Sequence, residues 1–166
     1  WSPFTVNWYG SGTSALAAAV SAAISRKPVP APEVLVPAYT CPDVISAILF
    51  AGAKPVLVDL VAQRPWLDLD AVDRCMNRNT VAIVAINFLG IRERIASLRA
   101  KAAASDAVLI EDSAQSFPLD AQDIGELSGD LMVLSFGRGK PVSLLGGGAV
   151  LVRDTALSRL LPQRAV

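Results

Sequence analysis

From Val81 to Ile86 the chain reads Val-Ala-Ile-Val-Ala-Ile, six apolar residues with no polar interruption. A run this short and continuous is the pattern of a strand buried on both faces, as in a parallel sheet covered by helices. Phe4–Trp8, Val34–Val36, Val56–Val58, Ala107–Ile110, Leu131–Leu134 and Ala149–Val152 read as further short strands. Between them lie segments of helical character: Ser14–Ser25, Pro42–Ala51, Asp70–Asn77, Arg92–Ala104 and Thr155–Leu161. Val44, Ile45, Ile48 and Leu49 fall on one helical stripe; Ile91, Ile95, Leu98 and Ala102 form another expected to face inward. Residues 113–128 read as polar and irregular, and 136–147 as a Gly-rich loop. This alternation predicts an α/β domain: three layers, α/β/α, around a mainly parallel sheet with right-handed crossovers. One domain spanning 1–166 is expected, since 166 residues suffice for a single core. Ligands of such a sheet bind beyond the C-terminal ends of its strands.

Composition narrows the chemistry. The chain has no histidine, which removes Ser-His-Asp, Cys-His and His-based metal sites together. Lys+Arg and Asp+Glu number 15 each, so nothing suggests a nucleic-acid footprint. Hydrophobic residues make up 52% and charged ones 18%, which suits a sheet covered on both faces. No stretch approaches the roughly 20 apolar residues of a membrane span. Cys41 and Cys75 form no CxxC motif and no disulfide framework, so a cytoplasmic location is expected. The first residue is Trp rather than Met, and the chain is read as lacking its true N-terminus.

Three features lie at strand ends. Gly10-Ser11-Gly12-Thr13-Ser14 links a strand to a helix. There the free N–H groups and the positive end of the helix dipole favour phosphate, and the Thr13 and Ser14 hydroxyls add donors. The same residues also serve as ordinary turn and capping chemistry. A dinucleotide fold is disfavoured, because the next strand ends in Pro37-Ala38-Tyr39 rather than in the acid that would hold a ribose. The second feature, Glu111-Asp112-Ser113-Ala114-Gln115, puts a carboxylate at the end of an apolar strand, where it is costly unless paired. A protonated ring nitrogen would pair with Asp112; capping of the following turn is the plainer alternative. The third is Ser135-Phe136-Gly137-Arg138-Gly139-Lys140, followed by Gly146–Gly148. A lysine there can form a Schiff base with a carbonyl cofactor. Ser135 could reach a phosphate, and Arg138 a phosphate or substrate.

In this order, the features resemble the DegT/StrS family of sugar aminotransferases, which depend on pyridoxal 5'-phosphate (PLP). Ser11–Leu16 resembles the family's N-G-T-x-A-L segment. Val34–Asp59 resembles its V-P-x-x-T … G-A-x-P-V-x-V-D stretch, Ile110–Ser116 its E-D-x-A-Q motif, and Ser135–Lys140 its S-F-x-x-x-K. The resemblance implies the large-domain core of a fold-type-I PLP transferase, without the family's N-terminal helix and small C-terminal domain. It implies Lys140 as the Schiff-base lysine, Asp112 at the pyridine nitrogen and Gln115 near the ring hydroxyl. It also implies Gly12, Thr13, Ser14 and Ser135 around the phosphate. Expected substrates are an amino-acid donor and a nucleotide-linked keto-sugar; no nucleic-acid or membrane partner is expected, and the expected assembly is a homodimer. Two departures stand out. The family commonly stacks an aromatic residue on the ring where this chain has Cys41, so Tyr39 is a candidate substitute. Its His-x-x-Gly is here Asn87-Phe88-Leu89-Gly90. Dehydration of a deoxysugar is disfavoured by Lys140; a non-catalytic binding or dimerising module is the alternative reading.

Overall fold

A computed structural model describes residues 3–118 and 120–162. Strands β1 (Thr5–Tyr9), β2 (Glu33–Pro37), β3 (Lys54–Val58), β4 (Thr80–Ile86), β5 (Val108–Asp112), β6 (Leu131–Ser135) and β7 (Gly148–Val152) form one sheet in the order β1-β7-β6-β5-β4-β2-β3. β3, β2, β4, β5 and β6 pair in parallel, while β7 runs antiparallel to both β6 and β1. The sheet is therefore mainly parallel, as the apolar run of β4 requires.

Strand alternation divides the core between two faces. Val34, Val36, Ala82, Val84, Val108, Ile110, Leu131 and Val133 pack on one side, under α1 (Gly12–Arg26), α2 (Pro42–Phe50) and α6 (Thr155–Ser158). Leu35, Ile83, Ala85 and Leu109 pack on the other, under α3 (Leu69–Cys75) and α4 (Ile95–Ala104). Met132, Leu134, Ala149 and Leu151 continue that second face, together with Leu127 just after α5 (Ala121–Glu126). The result is the expected three-layer arrangement. Helix α1 buries six alanines with Leu16 and Val20, so small side chains let it lie close against the sheet. Ser11 caps it, its hydroxyl accepting from Ser14 N–H at 3.0 Å.

Several sequence expectations change. Residues 113–128 include α5, whose Asp120 cap accepts from Asp123 N–H at 2.9 Å. Helix α4 starts at Ile95 rather than Arg92, because the buried Glu93 turns its carboxylate to the N–H groups of Leu67 and Arg94. Ile91 consequently lies outside the helix and is 47% exposed instead of facing inward. Helix α6 ends at Ser158, earlier than the expected Leu161. Among the described residues, no helix is long and apolar enough to cross a membrane.

Candidate functional site

The period of two that sorts the core also selects the site. Ile110 and Val133 belong to the α1 side of the sheet. Two residues on, at the strand ends, Asp112 and Ser135 therefore point to the same side, where α1 begins. Gly12 opens that helix against Ser135: a Cβ at Gly12 would lie 2.6 Å from both Cβ and Oγ of Ser135. Only glycine permits this approach, which brings a helix N-terminus and a hydroxyl to one point. The arrangement is one that binds phosphate.

Gly12, Thr13, Asp112, Gln115, Ser135 and Lys140 line a single cleft, together with Thr40, Cys41, Phe88 and Ala114. Its empty space is about 660 Å³ with the open mouth included, within the roughly 300–1,000 Å³ of cofactor and small-molecule sites. Asp112 is buried, and Oδ1 accepts from Ala114 N–H at 2.9 Å. Burial pushes its carboxyl above the ordinary aspartate range; the Ala114 N–H and the charge of Lys140 pull weakly the other way. A buried carboxylate held this way gains from a cationic N–H partner. Gln115 accepts from Leu89 N–H through Oε1 at 3.0 Å, which fixes the side chain at the cleft wall.

The chain has four lysines. Lys27 donates to the carbonyls of Thr80 and Ser105, Lys54 pairs with Glu33, and Lys101 pairs with Asp73. Lys140 is the one on the cleft, held in the loop by its N–H donating to the Gly137 carbonyl at 3.3 Å. The buried carboxyl, the lysine and the glycine cradle at a helix end together fit a phosphorylated, carbonyl-bearing pyridine such as PLP.

Not every expected residue reaches the cleft. Ser14 does not line it: its hydroxyl lies 3.0 Å from that of Ser11, in the helix cap. Tyr39 does not line it either. It is 69% exposed, and its ring packs edge-on to Phe88 at 5.6 Å. Cys41 is on the wall, and Arg138 is exposed outside it. Phe88 is the aromatic residue that sequence reasoning missed. Its signal lies in Asn87-Phe88-Leu89-Gly90, the segment whose first residue departs from the family's His-x-x-Gly. The Asn87 amide faces away from the cleft, bonded to Glu111 and Ser113 at 2.9 Å each.

A family model for the DegT/DnrJ/EryC1/StrS aminotransferases matches residues 6–162. The chain belongs to that family. Its members are PLP-dependent aminotransferases. The chain is 30% identical over 154 residues to a UDP-N-acetyl-3-dehydro-alpha-D-glucosamine 3-aminotransferase of Acidithiobacillus ferrooxidans, covering 91% of this chain and 41% of that protein. It is 31% identical over 140 residues to a UDP-2-acetamido-2-deoxy-3-oxo-D-glucuronate aminotransferase of Pseudomonas aeruginosa, covering 82% and 38%. The crystal structure of NtdA from Bacillus subtilis with bound cofactor PMP superimposes with a TM-score of 0.82 at 26% identity, over 93% of this chain and 34% of that one. The chain thus spans about two fifths of the length of these curated family members.

Proposed function

We propose that the protein is a PLP-dependent aminotransferase that moves an amino group from an amino-acid donor to a keto-sugar, the sugar being nucleotide-linked. The observation that carries this reading is the cleft on which Asp112, Lys140 and the Gly12–Ser135 cradle meet. Bound PLP supplies an electron sink for the carbanion chemistry of amino transfer. Asp112 keeps the ring nitrogen protonated, a pairing favoured because burial makes its isolated charge costly. Lys140 would hold the cofactor through Nζ, and its amine, when free, would serve as the acid–base group of the site. Thr13 and Ser135, with the N–H groups opening α1, hold the phosphate, and Ser14 supports them through the cap. Gln115 orients the ring hydroxyl.

Two relatives whose names specify UDP-linked sugars support the substrate class. Exposed apolar residues, among them Trp8, Leu144 and Leu145, support a homodimer. The free thiols of Cys41 and Cys75 suit the cytoplasm. The second reading, a binding module that keeps the fold without the chemistry, is favoured by one feature, the small exposed Cys41 where a stacking ring is usual. Adding PLP to the purified protein separates the two. An absorbance band near the visible edge that borohydride abolishes supports the enzyme; absence of that band supports the module.

A further inference from the structure

We propose that Asn87 is a positioning residue that fixes Asp112 for the cofactor from the opposite face of the sheet. The inference rests on the reading of Asp112 as partner of the ring nitrogen. Asn87 follows β4 and is 1% exposed. Its backbone N–H donates to the Asp112 carbonyl at 2.9 Å. Its side-chain Nδ2 donates to Glu111 Oε1 and to Ser113 Oγ, each at 2.9 Å. Its Oδ1 accepts from Glu93 N–H, also at 2.9 Å. One residue thus holds Asp112 at its own carbonyl and at the side chains on both sides of it.

Strand alternation explains how this occurs without blocking the cleft. Leu109 belongs to the α4 side, so Glu111 and Ser113 point there as well, while Asp112 points to the cleft. The grip is anchored at its far ends. Glu111 Oε2 accepts from the N–H groups of Ser128 and Gly129 at 2.9 and 2.8 Å. Glu93 accepts from Leu67 and Arg94 N–H, and Ser113 N–H donates to the Val133 carbonyl at 2.9 Å. A cofactor contact made by one carboxylate depends on where its backbone stands, and a residue whose bonds are all satisfied in a buried network has little freedom to drift.

The test compares the wild-type protein with Asn87→Ala and with Ser113→Ala, which removes one arm and leaves the fold better supported. Each is titrated with PLP and with a PLP analogue carrying carbon in place of the ring nitrogen. The proposal predicts that Asn87→Ala weakens PLP by about tenfold, one misplaced charge-assisted hydrogen bond, with a smaller loss for Ser113→Ala. The analogue, which makes no bond to Asp112, should lose little. Equal losses for both ligands, or none, overturn it. A second readout needs no cofactor: the titration of the Asp112 carboxyl followed by carbon NMR. Lys140 is the charged group facing it and the Ala114 N–H its donor. Loosening the grip admits water, so the midpoint should fall in Asn87→Ala; an unchanged midpoint overturns the proposal even if the protein binds no PLP. Failure of the wild type to bind PLP would count against the proposed function and leaves this second readout to decide the grip.

Discussion

Replacing Asp112 by asparagine keeps the shape of the side chain and removes its charge, and the two states of the site should respond in opposite directions. Asp112 is 6% exposed, with one hydrogen bond from Ala114 N–H to Oδ1, which asparagine can still accept. Burial raises the folded pKa above the unfolded value of about 3.9. Between those two values the native state binds more protons than the unfolded chain. Stability therefore falls as pH rises from the unfolded pKa through the folded one, and stays lowered above it. Asp112→Asn removes that penalty. Each kcal/mol of stability is worth about 2–4 °C in Tm for a chain of this size, so the change is readable by calorimetry. The cofactor-free variant should thus melt above wild type at pH 7 to 8, with the difference vanishing below about pH 4. With PLP the order should invert, because the variant cannot hold a protonated ring nitrogen by charge. Calorimetry across pH with and without PLP reads both effects. A variant that is less stable than wild type without cofactor at pH 7, or a difference that ignores pH, would refute the reasoning.

Other perturbations test other parts of the site. Gly12→Ala forces a methyl group to 2.6 Å from Ser135 and should cost about 1–3 kcal/mol by overpacking, read in urea unfolding. Adding Ser135→Gly should recover part of it; no recovery would mean that the strain lies elsewhere. Thr13→Val combined with Ser135→Ala should weaken PLP far more than pyridoxal, since each contact to phosphate is worth about 1.5–3 kcal/mol. Equal weakening of both would remove these residues from the phosphate site. Sedimentation at micromolar concentration should find a dimer, whose interface would exceed about 1,000 Å²; a monomer that binds PLP tightly contradicts a shared site.

Legibility in the sequence followed the physics of each element. Strands β4, β5 and β6 are buried on both faces, so their apolar runs were unambiguous and their ends, Asp112 and Ser135, came with them. Helix α5 was not legible, because Ala121–Glu126 carries no apolar period. It is held from outside instead, by Arg92 paired with Asp123 and Glu126. The place of Ser14 was not legible, because a hydroxyl at a helix start serves a cap and an anion equally well, and its contact with Ser11 is not written in the local pattern. That Phe88 rather than Tyr39 lines the cleft was hidden for a related reason. Both follow strand ends, but which ring reaches the cleft depends on how two loops pack, at 5.6 Å from each other, and no local pattern records that. Asn87 was noticed as a departure, yet its bonds to residues 24 and 26 positions away were invisible in the sequence.

The central claim is that Lys140 carries the cofactor. Borohydride reduction of the PLP-treated protein, followed by peptide mapping, tests it directly. Lys27, Lys54 and Lys101 are engaged by carbonyls or carboxylates away from the cleft, so the account predicts the pyridoxyl group on Lys140. Labelling of Lys54 or Lys101 with Lys140 left unmodified would contradict it.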